Sequence, residues 1–167
     1  MQLTDDMKSV IGTQQLCFAA TVTPDGKPNL SPKGTIRVYD DSTIFFCDLG
    51  SPNTRNNLKQ NPFIEINVVD ILSRRGYRFF GQASVLTSGD VYQSAVKILK
   101  DEGDFNFKVN AIMLVKVERA APLISPGYLQ VHDEWEMREI YKHKRPKLDS
   151  EFEANIEEQG PVRGGVR

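Results

Sequence analysis

A cluster of cations and small polar residues between positions 30 and 62 offers the clearest chemistry in the sequence. Lys33 and Arg37 lie in a predicted strand, and Arg55 lies near the start of a predicted helix. The same helix start contains Ser51, Asn53 and Thr54. A helix N-terminus attracts anions through its free N–H groups and partial positive charge, and a guanidinium group fits phosphate oxygens. This combination predicts a compact phosphate-binding site.

The same residues also have an ordinary structural interpretation. Ser51 suits a helix cap, and Arg55 and Lys59, one turn apart, suit a solvated helix face. For the helix start alone this second interpretation is favoured. Lys33 and Arg37 strengthen the phosphate hypothesis, because they share one face of their strand if its pleat is regular.

Motifs for other kinds of catalysis are absent from the sequence. It has no GxxxxGK[ST] or GxGxxG phosphate loop, no GxSxG nucleophile elbow and no HExxH zinc motif. Cys17 and Cys47 lie in apolar runs without a CxxC partner, which predicts reduced core residues and no metal site. The polar residues predicted to lie at the surface are His132, His143, Arg74 and Arg75. The two arginines would also suit a ligand if their loop lay beside a pocket.

Composition restricts the class of protein. Of the 167 residues, 40% are hydrophobic and 26% are charged, which is enough apolar material for one globular core. The net charge of −1 gives no reason to expect a nucleic-acid or membrane-surface partner. No apolar run approaches the roughly 20 residues of a membrane span, and the N-terminus lacks the features of a signal peptide. A cytoplasmic location is therefore expected.

Four helices are predicted from apolar periodicity and capping residues. They cover about positions 3–16, 51–60, 88–102 and 133–144. Thr4 and Ser88 are the predicted caps of the first and third helices. In the last helix, Trp135, Ile140 and Tyr141 are predicted to be available for packing.

The strands are predicted to form hairpins joined by tight turns, with few helices between them. This order favours a mostly antiparallel barrel with flanking helices over a doubly wound parallel sheet. Positions 28–40 are predicted to form one long strand that Pro32 and Gly34 interrupt. Such interruptions mark an edge, a bulge or a close approach to the backbone. Residues 110–123 are predicted to form a long and mostly buried strand.

Residues 1–146 are predicted to form a single domain. The remaining segment, 147–167, has few apolar residues and ends in glycines and arginines. This composition predicts a polar tail that is disordered or packs on a partner subunit.

Three segments together resemble the pyridoxamine 5'-phosphate oxidase family and its FMN-binding split-barrel relatives. They are "DGKPNLSPKG", "SPNTRNNLKQNP" and "NVVD" followed by "RRGYRFFG", within a match from Phe18 to Leu86. The resemblance implies a mainly β fold, a six-stranded antiparallel split barrel. It also implies a homodimer with two FMN molecules at the interface.

The resemblance also implies an assignment of cofactor-binding residues. The residues implied to run along the flavin ring are Pro32, Lys33, Gly34, Thr35, Ile36 and Arg37. Those implied to contribute backbone near the ring are Phe46 and Cys47. The phosphate is implied to be held by Ser51, Asn53, Thr54, Arg55 and Asn56. Lys33 and Arg37 are the expected cationic partners on the strand.

Several positions depart from the oxidase pattern. Pro32 lies near the place of an arginine, and Pro52 and Asn53 replace an Arg-Lys pair. Residues 76–78 contain no glutamine that could contact the ring, and the C-terminal segment has no convincing match. These departures affect pyridoxamine phosphate oxidation more than they affect FMN binding.

Three functional hypotheses follow. The first is an FMN-dependent oxidoreductase of unknown substrate, in which the flavin carries the redox chemistry. The second is a flavin-binding module without turnover of its own. The third is a barrel that binds haem or a deazaflavin in place of FMN.

Overall fold

A computed structural model describes residues 1–103 and 105–143 of the chain. The strands are β1 Cys17–Val22, β2 Pro28–Lys33, β3 Arg37–Asp40, β4 Thr43–Asp48, β5 Phe63–Asp70, β6 Arg75–Leu86 and β7 Ala111–Ile124. The α-helices are α1 Asp5–Gln14, α2 Pro52–Gln60, α3 Asp90–Asp101 and α4 Glu134–Lys142, and a 3-10 helix spans Pro126–Leu129. Within these residues no helix is long and apolar enough to cross a membrane. The predicted tail, 147–167, lies outside the described residues.

The described chain divides into two compact units. The first consists of Met1–Val69 and Gly76–Leu123 and includes nearly all of the sheet together with α1, α2 and α3. The second consists of Asp70–Arg75 and the residues from Ile124 onwards, which include α4.

The sheet of the first unit closes on itself. Its strand order is β2-β1-β5-β6-β7-β4-β3, so β2 and β3 lie at opposite ends. In a flat sheet, six strand spacings would separate these ends by about 29 Å. Only residues 34–36 connect β2 to β3, and the chain spans about 14 Å at most from Lys33 to Arg37. The sheet therefore has to curl until its ends meet, which confirms the predicted antiparallel split barrel with flanking helices.

The strand count differs from the prediction. The segment 28–40 forms two strands, because the backbone turns at Gly34 and Thr35. Pro32 in β2 pairs with Phe18 in β1, whereas Arg37 in β3 pairs with Phe45 in β4. The sheet consequently has seven strands instead of six.

Strand β4 lies at the centre of the core. All six of its residues are buried, and it pairs with both β3 and β7. Because alternate side chains point to opposite faces, Ile44 and Phe46 pack inside the barrel while Phe45 and Cys47 pack in a second cluster with Ala95 of α3.

Strand β7 is buried only in its first half, contrary to the prediction of a mostly buried strand.

Two local predictions are wrong. Helix α3 begins after Gly89, which occupies the capping position with a φ of 94°. Ser88 therefore does not cap the helix. In α4, Trp135 is 70% exposed and Met137 is buried in its place, so Trp135 is not a packing residue of its unit. By contrast, the Thr4 side chain accepts the Met7 N–H and caps α1 as predicted.

Two glycines allow neighbouring strands to approach closely. A Cβ at Gly76 would lie 2.0 Å from the carbonyl oxygen of Val68, and one at Gly81 would lie 2.1 Å from that of Lys116. Both obstacles are backbone atoms, so any side chain here would push strands apart.

Candidate functional site

A pocket of about 320 Å³ opens beside the turn between β2 and β3, near the start of α2. It is lined by Pro32, Lys33, Gly34, Thr35, Cys47, Leu49, Ser51, Phe105 and Phe107. We call it the strand-turn pocket. The predicted site residues that it brings together are Pro32, Lys33, Gly34, Thr35, Cys47 and Ser51.

Lys33 supplies a buried positive charge to the strand-turn pocket. The residue is only 4% exposed, and its Nζ donates to Ser31 Oγ at 2.6 Å and to Ser51 Oγ at 2.8 Å. Among the described residues, it forms no ion pair with a carboxylate. Burial lowers the pKa of Lys33, and the nearby Cys17 and Asp48 partly oppose this shift. A buried ammonium held only by neutral hydroxyls is well suited to pair with a negatively charged group of a ligand.

The rest of the strand-turn pocket is partly apolar, and a hydrogen bond ties its turn to the barrel. The Cys47 N–H donates to Thr35 Oγ1 at 2.8 Å, which ties the turn to β4. At Gly34 no side chain intrudes, and even a Cβ there would meet nothing within 4 Å. Phe105 and Phe107 pack edge to face, with ring centroids 5.5 Å apart. The pocket therefore combines apolar walls, an open backbone and one buried cation.

A carboxylate of the chain itself occupies the start of α2. Asp48 is 1% exposed, and its Oδ1 accepts the Ser51 N–H at 2.5 Å. Its Oδ2 lies 3.0 Å from Arg55 Nη1, but off the donor direction, so it accepts no hydrogen bond from the described residues. The positive end of the helix is thus already partly neutralised. Asp48 is not among the predicted site residues, although an acidic residue just before a helix start is a recognisable signal.

Ser51 was predicted to be a helix cap and Arg55 to lie on a solvated helix face, but each makes a different, specific contact. Ser51 holds the capping position, yet its side chain makes no capping hydrogen bond and accepts from Lys33. Arg55 is paired with Asp48 and is not a freely solvated residue. The cap and solvated-face interpretations are therefore wrong for these two residues, whereas Lys59 is exposed as expected.

Arg37 points away from Lys33. Its Nε donates to Glu102 Oε2 at 2.5 Å, and its Nη2 donates to Gln15 Oε1 at 3.1 Å. It lines a different pocket of about 450 Å³ together with these two residues. Because the pleat is broken by the turn, the prediction that Lys33 and Arg37 share one strand face is wrong.

The remaining predicted residues are distributed over other environments. Ile36 and Phe46 are fully buried in the barrel core, and Thr54 is 2% exposed. Asn53 and Asn56 line a third pocket that shares no lining residue with the strand-turn pocket. Their predicted roles toward a phosphate stay predictions.

Metal and thiol chemistry have little support in the described residues. No group of three or more His, Cys, Asp or Glu side chains is placed to hold a metal ion there. Both cysteines are free and buried, as predicted. Burial raises the pKa of Cys17 to about 12 and that of Cys47 to about 11, so neither is a ready nucleophile.

The basic loop of the second unit is engaged in contacts within that unit. The Arg74 guanidinium lies 3.9 Å from the centre of the Tyr141 ring, and Arg75 Nη1 donates to Glu134 Oε2 at 2.7 Å. Both arginines are exposed, and so are His132 and His143, as predicted.

Comparison with known proteins identifies the family and the fold of the chain. The sequence model of the pyridoxamine 5'-phosphate oxidase family matches residues 3–119. HupZ of Group A Streptococcus is 36% identical, with a TM-score of 0.65, over 74% of this chain and 95% of its own. No curated protein matches the chain.

Two more distant structures share the fold. An FMN-binding protein of Syntrophomonas wolfei is 20% identical, with a TM-score of 0.60, over 70% of this chain and 82% of its own. The haem storage protein HutZ of Vibrio cholerae is 17% identical, with a TM-score of 0.58, over 74% of this chain and 95% of its own.

Proposed function

Because the chain belongs to the pyridoxamine 5'-phosphate oxidase family, we propose that it is an FMN-dependent oxidoreductase that binds its flavin in the strand-turn pocket. The observation that carries this proposal is Lys33, a buried ammonium with only hydroxyl partners beside apolar walls. FMN combines a flat ring with negative charge, and this lining fits both features. The FMN-binding protein of Syntrophomonas wolfei, which has the same fold, adds support.

In this proposal the flavin, when bound, supplies the redox chemistry, and the chain supplies position and charge. Lys33 holds a negative charge on the ligand, and Ser31 and Ser51 fix the direction of its Nζ. Phe105 and Phe107 give the pocket an apolar wall. The Thr35 contact with β4 keeps the open backbone at Gly34 in place. No side chain has to act as a nucleophile.

We also propose that the protein is a homodimer with FMN at the interface. One face of the β1–β2 hairpin carries only apolar cross-strand pairs, namely Phe18 with Pro32, Ala20 with Leu30 and Val22 with Pro28. Phe18 is 46%, Leu30 66% and Val22 40% exposed. We call this surface the hairpin face. Since Pro32 also lines the strand-turn pocket, a second copy on the hairpin face would lie beside the flavin.

The two prolines favour face-to-face docking over the addition of a strand. Pro28 and Pro32 lie on β2, which is at one end of the strand order. Neither residue has an N–H to donate, so an added strand would find few donors along this edge. A partner therefore gains most by covering the apolar side chains of the hairpin face.

A cytoplasmic location is part of the same proposal. The free thiols of Cys17 and Cys47 suit a reducing compartment.

Haem is the second candidate ligand, because HutZ, a haem storage protein, has the same fold. The strand-turn pocket offers no histidine to such a ligand. A deazaflavin is the third candidate ligand. A flavin-binding module without turnover is the second candidate function for a protein that does bind FMN.

The absorption spectrum of the purified protein tests the proposed function. We expect flavin bands that a reductant bleaches and oxygen restores. Titration of the stripped protein with FMN, a deazaflavin and haemin then ranks the ligands. A protein that binds haemin and gains no flavin bands with FMN would overturn the proposal. Bound FMN that no nicotinamide donor reduces would support the module without turnover.

A further inference from the structure

The third pocket, of about 520 Å³, lies between α2 and the tip of the β1–β2 hairpin. Its lining consists of Thr23, Pro24, Asn29, Asn53, Asn56, Asn57, Lys59 and Gln60. We call it the carboxamide pocket, since five of these eight side chains are carboxamides. No residue of the proposed flavin pocket takes part in it.

Helix α2 presents its carboxamides as a stripe. Asn53, Asn56, Asn57 and Gln60 follow the spacing i, i+3, i+4 and i+7, which places them on one face of the helix. Asn53, Asn56 and Gln60 make no side-chain hydrogen bond with any described residue. Their donors and acceptors are therefore available to a ligand.

Asn57 is the buried anchor of the carboxamide pocket. It is 4% exposed, and its Nδ2 donates to Thr21 Oγ1 at 3.0 Å. Thr21 in turn donates to Asn29 Oδ1 at 3.3 Å, so the orientation of Asn57 is fixed. Its Oδ1 accepts no hydrogen bond from the described part of the chain. This oxygen is not fully buried, so water can reach it, and a donor on a ligand can take the place of that water.

The charge of the lining narrows the class of ligand. Lys59 is the one charged residue in the lining; it is exposed and has no ion-pair partner among the described residues. The absence of a carboxylate from this lining disfavours cationic ligands. A carboxamide can pair with a donor and an acceptor at once, which is how Asn and Gln recognise the edge of adenine. A lysine is a common partner of phosphate.

We propose that the carboxamide pocket binds an adenine nucleotide, with the base edge on the carboxamides and the phosphate near Lys59. The ring of Pro24 offers an apolar surface beside the base. The carboxamide pocket shares no lining residue with the strand-turn pocket, so we expect AMP and FMN to bind at the same time.

Calorimetric titration of the full-length protein with AMP and adenosine tests the proposal, both with and without FMN. We expect AMP to bind in either case. Asn56→Leu and Gln60→Leu should each weaken AMP binding at least tenfold. Lys59→Met should weaken AMP binding but leave adenosine binding unchanged. Gln93→Leu, an exposed carboxamide on α3 outside the pocket, is the matched control and should bind AMP normally.

Three results would overturn the proposal. They are no AMP binding at millimolar concentration, wild-type AMP affinity in the Asn56 and Gln60 variants, and displacement of AMP by FMN. The last result would mean that the carboxamide pocket belongs to the flavin site.

Discussion

Arg55 Nη1 lies 3.0 Å from Asp48 Oδ2, so the cation expected to hold a phosphate is paired with a carboxylate of its own chain. The side chain of Asp48 is 1% exposed, and that of Arg55 is 29% exposed. Asp48 also accepts the Ser51 N–H. Lys33, in contrast, has no such carboxylate partner in the described structure. The positive charge near the start of α2 that no carboxylate neutralises is therefore that of Lys33, at the end of β2, and not that of Arg55 on the helix.

Replacing Arg55 should mainly destabilise the fold. Arg55→Ala leaves the Asp48 carboxylate buried without its partner, and we expect a loss of about 3 kcal/mol in the free energy of unfolding. Urea denaturation measures this loss. If Arg55 instead contacts the flavin phosphate, the variant should lose roughly 1.5–3 kcal/mol of FMN affinity.

A double variant separates the two roles of Arg55. Asp48→Asn removes the buried charge, so Arg55→Ala in that background should cost much less stability. A loss of stability that is the same in both backgrounds would contradict the pairing. A loss of FMN affinity that persists in the Asp48→Asn background would establish a contact with the phosphate.

The burial of Lys33 predicts an unusual dependence of stability on pH. Its pKa in the folded protein is lowered from 10.5, so the unfolded chain binds more protons between the folded pKa and 10.5. Stability should therefore rise with pH through this window, and the cost of burying the charge should be fully present below the folded pKa. Urea denaturation at a series of pH values should show this rise in the wild type and not in Lys33→Met.

The affinity for FMN should change in the opposite direction. FMN binding should weaken as pH rises through the folded pKa of Lys33, because the neutral amine no longer pairs with the ligand's charge. Lys33→Met should lose about 10- to 100-fold in affinity at neutral pH, equivalent to about 1.5–3 kcal/mol. Lys27→Met, on an exposed turn residue, is the control and should match the wild type. Unchanged affinity in Lys33→Met would remove Lys33 from the site.

The close approach of β5 and β6 predicts that Gly76 tolerates no side chain. Gly76→Ala places a Cβ 2.0 Å from the Val68 carbonyl oxygen, and we expect it to cost at least about 3 kcal/mol. Gly12→Ala, in the interior of α1 with nothing within 4 Å, should instead stabilise the fold by about 0.5–1 kcal/mol. Thermal denaturation compares the two. Equal stability of the Gly76 variant and the wild type would show that the strands are further apart.

Local features of the fold could be predicted from the sequence. Thr4 caps α1, because its partner Met7 lies only three residues away. Pro32 and Gly34 correctly signal an interruption of the strand. The sequence does not show, however, that β2 and β3 pair at opposite ends of the sheet. Both strands pair with sequence neighbours, β1 and β4, and the long-range pairs β1–β5 and β4–β7 place these two hairpins at opposite ends.

The residues of the candidate site could also be predicted only in part from the sequence. The sequence shows which residues are cations, but not which carboxylates they meet. Arg37 pairs with Glu102, which is 65 positions away, so local reasoning could not remove it from the site. Trp135 is exposed for a related reason, since a helix pattern identifies an apolar side chain but not whether another element covers it.

The hairpin face predicts how the protein assembles. Leu30 is 66% exposed at the centre of the apolar pairs, and a lysine there would have to be desolvated in a dimer. We expect the wild type to sediment as a dimer and Leu30→Lys as a folded monomer with weaker FMN binding, because the flavin would lose the wall supplied by the partner. Leu129→Lys changes a residue of the 3-10 helix that is 90% exposed and is not one of the hairpin-face residues, and it should stay dimeric. Analytical ultracentrifugation with FMN titration distinguishes the outcomes. A dimeric Leu30→Lys variant would show that the hairpin face is not the interface, and a wild-type monomer that binds FMN tightly would contradict the shared site.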